Sequence, residues 1–438
     1  VEGIVAQVTF NLTEAQITGQ QQQTVAAPSG RYGGGALGQS IEYKSNNLSG
    51  NFTPTAGSPD LALNAMFLRI TAGAGLNLGG GQEINLSKDN QAIFTALLAL
   101  GASNLEITYR LPIAGRAWNA GIYTSTNSIT MVLPTSILMT INVPSFITVN
   151  TLPPTATLNV ASLANFRTGS LTGSHVFDYF TSLAADVKVK ATNTNNFSFS
   201  TTEPKIVDPS PAASLLKAHV TVPSLGSPVS LTNGDQDLLT NIAVQATNKR
   251  SITTNFSLSA ADLKASFVQA GTYTLPITYS IAKHSTAYGT ALTATTTSSV
   301  HVVVPRLFEC VIPTANLLFD LSNINSYRNG ITVAIPNPFV VSSTIPYNIT
   351  VKASGDFTNG SGGTIPANTV TVEGTAAQTG ITSVILSAVD QSLVTGAAPV
   401  IDRSLNLQYR ISPTQATNML GKTAGTYQNT ITFTCTAP

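Results

Sequence analysis

Three times along the chain a Gly-x-Tyr triplet opens a run of alternating apolar residues, and this recurrence restricts the fold more than any other feature. The triplets are Gly121-Ile122-Tyr123, Gly271-Thr272-Tyr273 and Gly425-Thr426-Tyr427; Gly121 to Gly271 is 150 residues and Gly271 to Gly425 is 154. A strand-like run precedes each: Leu105-Glu106-Ile107-Thr108-Tyr109-Arg110, Asn255-Phe256-Ser257-Leu258 and Leu405-Asn406-Leu407-Gln408-Tyr409-Arg410. Earlier in each copy an amphipathic strand carries a lysine, at Lys44, Lys190 and Lys352. Period-two alternation means one buried and one wet face, the mark of an antiparallel sandwich. Units this long are not solenoid repeats, so each is expected to hold its own core. The expected fold is all-β: three tandem immunoglobulin-like β-sandwiches over residues 1–144, 145–305 and 306–438. The recurring tyrosine has two open readings, a corner residue whose hydroxyl bonds back to the main chain, or plain core packing.

The seams repeat as well. Met139-Thr140-Ile141-Asn142-Val143-Pro144 leads to Pro153-Pro154-Thr155 and Leu158-Asn159-Val160; Val300-His301-Val302-Val303-Val304-Pro305 leads to Pro313-Thr314 and Leu317-Leu318-Phe319-Asp320-Leu321. A half seam, Val8-Thr9-Phe10-Asn11-Leu12 after Val1-Glu2-Gly3-Ile4-Val5, opens the sequence. After its Gly-x-Tyr strand the first copy continues to Ser136-Ile137-Leu138-Met139-Thr140-Ile141-Asn142-Val143 and the second to residues 300–304, whereas the third has only three residues after Cys435. The last sandwich is therefore expected to lack its C-terminal strand. That leaves an acceptor edge at Ile431 and Phe433 which invites a strand from elsewhere.

Only 9% of residues are charged and the net charge is +1, so the basic field that holds nucleic acid is missing. The longest helix-compatible stretch, residues 90–101, is too short to span a bilayer. No leader is visible ahead of Val1, which fits a mature exported chain. Cys310 and Cys435 read as one disulfide of a secreted protein, with two buried thiols as the other reading.

No catalytic, metal or cofactor constellation stands out. His175, His219, His284 and His301 lie in no two-ligand spacing. Asp235-Gln236-Asp237 after Asn233-Gly234 has the alternation of a calcium loop without its further acidic ligands, and reads as a turn. Gly33-Gly34-Gly35 and Gly79-Gly80-Gly81 lack the residues of a phosphate cradle and read as loops. The candidate ligand-binding residues are in the first domain: Trp118 and Arg116, flanked by Gly115 and Gly121, with Arg31 and Tyr32 in a Gly-rich loop. A large ring beside a planar cation suits sugar stacking or attachment to an apolar surface; the alternative is that Trp118 plugs the end of the sandwich.

The segments Val300-His301-Val302-Val303-Val304, Glu309-Cys310-Val311-Ile312-Pro313-Thr314, Leu317-Leu318-Phe319 and Ala424-Gly425-Thr426-Tyr427-Gln428-Asn429-Thr430-Ile431-Thr432-Phe433 resemble chaperone-usher pilus subunits, especially the spore-coat-U-like pilins of the archaic class. In that family an incomplete pilin domain is completed by a donor strand of the next subunit. The resemblance implies that residues 300–304 and 136–143 are donor segments held within this chain. It implies as partners a periplasmic chaperone, an outer-membrane usher, the next pilus subunit, and a surface or glycan receptor for the first domain. It further implies export through the periplasm to the cell surface as a non-enzymatic tip adhesin. A cysteine in the final strand departs from the family pattern, which joins the first two strands. The alternatives are a fibre subunit that donates its own N-terminal residues and a secreted carbohydrate-binding protein; pairing of residues 1–12 within the first domain favours a tip.

Overall fold

A computed structural model describes residues 6–32, 40–72, 82–95, 103–129, 132–133, 136–224, 226–376 and 378–437. The expected half seam at Val1-Glu2-Gly3-Ile4-Val5 and both glycine triplets lie outside these residues. The helix-compatible stretch is strand where described, at Gln91–Thr95. Three hydrophobic cores follow one another: one from Val8 to Phe146, one from Ile147 to Val304 with Ala120 and Ile401 joining at its ends, and one centred on Phe339 to Met419. The protein is all-β, and each core lies between packed sheets of immunoglobulin-like sandwiches.

The sequence repeat is also a register repeat. The lysine strands Ser40–Ser45, Ala185–Ala191 and Tyr347–Ala353 pair antiparallel with the corner strands Gly121–Ile129, Gly271–Lys283 and Ile431–Thr436. In all three the lysine lies opposite the seventh residue after the glycine: Lys44 with Ser128, Lys190 with Thr278, Lys352 with Thr432. Each tyrosine is a corner. Its hydroxyl donates to the carbonyl four residues upstream, Tyr123 to Asn119 at 2.9 Å, Tyr273 to Gln269 at 3.0 Å and Tyr427 to Thr423 at 2.9 Å. The glycines share φ of 152°, 150° and 156°, a region closed to side chains, so the turn that presents the tyrosine requires glycine.

The first two sandwiches close in the same way. Ser136–Val143 pairs antiparallel with the corner strand Gly121–Ile129 and parallel with the opening strand Ala6–Asn11. Thr293–Val304 pairs antiparallel with Gly271–Lys283 and parallel with the opening strand Ala156–Asn159. The inward side chains Ile137, Met139, Ile141 and Val143, and likewise Val300, Val302 and Val304, are buried.

Two junctions of different chemistry join the sandwiches. Between the first and second, Asn248 is buried in the left-handed region; its carboxamide accepts from Trp118 N at 3.0 Å and donates to the Trp118 and Thr181 carbonyls at 2.7 and 2.8 Å. Ala120 N donates to Ser182 O alongside at 2.7 Å. Between the second and third, Asp402 accepts from Arg167 Nε at 3.0 Å and Lys264 Nζ at 2.8 Å, while Arg167 also donates to Glu309 Oε1 at 2.6 Å. Lys264, ahead of Arg167, holds the Asp402 carboxyl below the usual carboxylate range.

Two outcomes follow from the second core. Replacing Val302 and Val304 by Asp puts unpaired carboxylates where the side chains are 0% and 2% exposed; the second sandwich should lose several kcal/mol, roughly its whole stability, while the first keeps its own calorimetric transition. His175 accepts a hydrogen bond from the Tyr279 hydroxyl at 2.7 Å and donates to Pro154 O at 2.7 Å, with burial lowering its pKa against the raising effect of the Pro154 bond. The folded state therefore takes up this proton later than the unfolded chain, so stability is full above about pH 6.5 and falls as pH drops below it. Denaturant titrations from about pH 7 to 5 should show this slope in the second transition, and His175→Gln should flatten it.

Candidate functional site

Among the described residues the third sandwich has the lysine and corner strands but no closing strand beside them. Its sheet runs Gln391–Ala397, Tyr347–Ala353, Ile431–Thr436 and stops, where the corresponding sheets of the first two continue through a closing strand to an opening strand. By alignment of the Pro-Thr-Ala sequence at 154–156 with that at 313–315, Leu317 and Phe319 correspond to Leu158 and Val160, so residues 317–321 overlap the end of the opening strand Ala156–Asn159 and run past it. The sequence predicts a strand there. Among the described residues these five form none, and no strand equivalent to Ser136–Val143 or Thr293–Val304 lies beside them. Their period-two alternation persists: Leu317, Phe319 and Leu321 are half-buried, and Leu318 is 76% exposed.

Between these residues and the corner strand lies a groove of about 1460 Å³. Leu317, Phe319 and Leu321, Ile431 and Phe433 of the corner strand, and Tyr409 all line it. The predicted acceptor residues Ile431 and Phe433 thus line the groove, and Phe433 packs edge-on against Phe339 with ring centroids 4.7 Å apart. Side chains at the matching places in the complete sandwiches, Phe10 and Leu12, Leu158 and Val160, Ile277 and Tyr279, are buried; here they remain half-exposed. Each apolar side chain delivered to such a slot stabilises by about 1.5 to 3 kcal/mol before ordering costs.

The main-chain groups on the groove side are those an added strand needs. Ser354 N donates to Thr430 O at 2.9 Å, and Thr358 and Gln428 exchange both main-chain bonds, at 3.1 and 2.9 Å. The main-chain groups of the even-numbered residues therefore point to the side already paired, and the alternation turns the N–H and C=O of Tyr427, Asn429, Ile431 and Phe433 toward the groove. The disulfide Cys310–Cys435 is formed. It joins the strand Phe308–Val311 to the corner strand, tying together the two sheets at one end of the groove. Closing a loop of 125 residues stabilises by roughly 5 kcal/mol in the chain-entropy model.

The predicted ligand-binding residues are not brought together. Arg31 and Tyr32 end a strand whose other end, Gln23, pairs with Leu111, while Arg31 and Tyr32 pair with Asn104 and Ser103. Trp118 and Arg116 follow Leu111, so the two pairs sit at opposite ends of the first sandwich, roughly 25 Å apart along the strands. Trp118 is 1% exposed, with Nε1 donating to Ile113 O at 2.9 Å and its main chain docked on Asn248. It plugs the junction end of the sandwich, and its contact reading does not fit that place. Arg116 is half-buried, and its guanidinium reaches Asn64 O.

Asp235 and Asp237 face Lys190 and Lys188 at 3.4 and 3.2 Å, so lysines occupy the place a cation would take. Among the described residues no group of three or more metal-ligating side chains occurs, and no helix is long and apolar enough to cross a membrane. Sequence reasoning missed Asn248, whose only local signal is an asparagine before a strand, and the Asp402 cluster, assembled from four separate segments.

No protein-family model matches the chain, and no curated protein matches it. Solved structures do. The chain resembles pilus tip adhesins. The adhesive subunit CfaE of CFA/I fimbriae of enterotoxigenic Escherichia coli is 12% identical, covering 70% of this chain and 100% of that one at a TM-score of 0.29. A chain of the CsuC–CsuE complex from archaic chaperone-usher Csu pili of Acinetobacter baumannii is 12% identical, covering 66% and 99% at 0.27. The CupB6 tip adhesin of Pseudomonas aeruginosa is 9% identical, covering 69% and 96% at 0.27.

Trp118→Ala removes a fully enclosed ring at a junction. It should destabilise the first sandwich by about 3 to 5 kcal/mol and lower its melting temperature by several degrees, read by calorimetry. An unchanged melting profile would show that the ring does not hold this end of the sandwich.

Proposed function

We propose that the chain is a non-enzymatic adhesin of the chaperone-usher kind, anchored through its third sandwich by a strand from another subunit. The observation that carries this reading is the groove between residues 317–321 and Ile431–Thr436, whose equivalents in the first two sandwiches are filled by Ser136–Val143 and Thr293–Val304. An apolar slot flanked by outward-facing main-chain groups is matched by an extended, alternating segment and by little else. A periplasmic chaperone would fill it first, and the next subunit of the pilus would follow through the outer-membrane usher.

Residues 6–11 are paired within their own sandwich, through Ile137 to Asn142, and could not be donated without opening it. This speaks against a fibre subunit that donates these residues to a neighbour. The receptor-facing part is then the end of the first sandwich that holds Arg31 and Tyr32, opposite the end docked on the second. A surface or glycan receptor fits that placement.

Fusing the sequence of Ser136–Val143 after Pro438 through a flexible Gly/Ser linker tests the anchoring role. The fused chain should be monomeric and melt roughly 10 °C higher in its third transition, as several added kcal/mol require. A control with Ile137, Met139 and Ile141 changed to Asp within the fused copy should gain nothing. An unfused chain that is already monomeric, cooperative and unaffected by the fusion would overturn the reading.

A further inference from the structure

Beneath their different side chains the two junctions share one clasp. In each, an alanine stands just before the corner glycine, Ala120 or Ala270, both 1% exposed, and its N–H donates across the junction to a carbonyl of the next sandwich, that of Ser182 or Thr344, at 2.7 Å in both. The hydroxyl of that residue turns back onto the linker. Ser182 Oγ donates to Pro144 O at 2.7 Å and accepts from Phe146 N at 3.0 Å, and Thr344 Oγ1 donates to Pro305 O at 2.8 Å and accepts from Leu307 N at 2.8 Å. Ser182 N and Thr344 N then donate to Phe146 O and Leu307 O at 3.1 and 3.0 Å. The linkers are in register too: the last residue of the closing strand faces the glycine, Val143 on Gly121 and Val304 on Gly271, and Pro, one further residue and an apolar residue follow at once. A clasp of main-chain groups and one hydroxyl depends on position rather than on the surrounding side chains, so it recurs where they differ.

The third sandwich carries the donating half of this clasp. Ala424 precedes Gly425, and Tyr427 closes onto Thr423 O as Tyr123 and Tyr273 close onto Asn119 and Gln269, so the corner holds the alanine as its sisters are held. Ala424 is exposed, and among the described residues its N–H meets no carbonyl. A loop repeats the pattern. Gly57 and Gly362, each four residues after the threonine that pairs with the corner strand, Thr53 or Thr358, share a φ of 88°. A Cβ at Gly57 would touch main-chain atoms of Thr286 and Tyr288 of the second sandwich at 3.5 to 3.6 Å, whereas one at Gly362 would meet nothing within 4 Å. Gly363 packs against the Tyr427 hydroxyl, which puts this loop beside the corner.

Resting on the reading of the groove as a strand acceptor, we propose that this face of the third sandwich, with Ala424 at the corner and Gly362 in the loop beside it, docks the body of the sandwich whose strand fills the groove, through the same clasp. The partner is thereby specified beyond its strand. It carries a proline directly after the residue that faces Gly425, an apolar residue two places further on, and a serine or threonine whose hydroxyl bonds both and whose carbonyl accepts from Ala424 N–H. A strand alone leaves that N–H in water, because the closing strands pair from Gly121 and Gly271 onward and not with the alanines. Filling the groove and seating the partner are separate events.

Fusions after Pro438 through a flexible Gly/Ser linker separate them. One appends residues 136–143, the strand alone; the other appends residues 136–304, the same strand followed by Pro144, Ser145, Phe146 and a sandwich closed by its own Thr293–Val304. Residue-resolved amide exchange at Tyr427 reports the strand, and at Ala424 the docked body. Both fusions should slow Tyr427, and only the longer should slow Ala424, by on the order of 100-fold. Ser182→Ala in the appended copy should lose most of the gain at Ala424 and leave Tyr427 slow. A fusion appending residues 293–437, with Ala424→Pro in the appended copy so that one such amide remains, offers Thr344 in place of Ser182 and should act alike on Ala424. Tyr427 slowed with Ala424 unchanged in both longer fusions would overturn the inference and leave the acceptor reading standing. Slowing of Ala424 by the strand alone would also overturn it. No slowing at Tyr427 in any fusion would overturn both.

Discussion

A strand in a sheet offers hydrogen-bonding groups on both sides, and the corner strands of this protein depend on having both sides met. In the first two sandwiches the lysine strand meets one side and the closing strand the other, and the corner strand is ordered from its glycine onward. In the third the lysine strand alone is present beside it. The half-exposed Ile431 and Phe433, the unpaired residues 317–321 and the late start at Ile431 all follow from that one missing neighbour. Local propensity is not the cause, since Thr, Ile, Phe and Tyr favour strands here as they do in the sister copies.

Much of this was legible in the sequence because strand alternation is local and the three copies could be read against one another. The recurring lysine strand and the Gly-x-Tyr turn were read from spacing along neighbouring strands, and the structure decides the two readings left open, making each tyrosine a corner and the two cysteines a disulfide. Residues 317–321 show the limit of local reading, because an alternating run becomes a strand only when a partner pairs with it. The grouping of Trp118 with Arg31 and Tyr32 failed for a geometric reason. Antiparallel strands carry residues of similar loop-like composition to opposite ends of a sandwich, and composition does not record which end. Asn248 was invisible because a single amide reading main-chain groups across a junction leaves no periodic trace.

The two junctions divide the chain unevenly. Asn248 satisfies main-chain groups of both neighbours in a buried setting, and Trp118 seals the same end, so the first two sandwiches meet through a dry contact with little polar freedom. The other contact adds partly exposed ion pairs among Asp402, Arg167, Lys264 and Glu309, which salt screens, to the buried Ile401 and the bond from Ala270 N to Thr344 O.

The cystine has a mechanical consequence. A pull delivered to the corner strand from the groove side reaches Cys435, and the covalent bond passes it directly to Cys310, close to Pro305 and the second sandwich. The 124 residues between the two cysteines form a closed loop that tension between those points bypasses. The third sandwich can therefore bear load between those two points without that loop being unravelled by it.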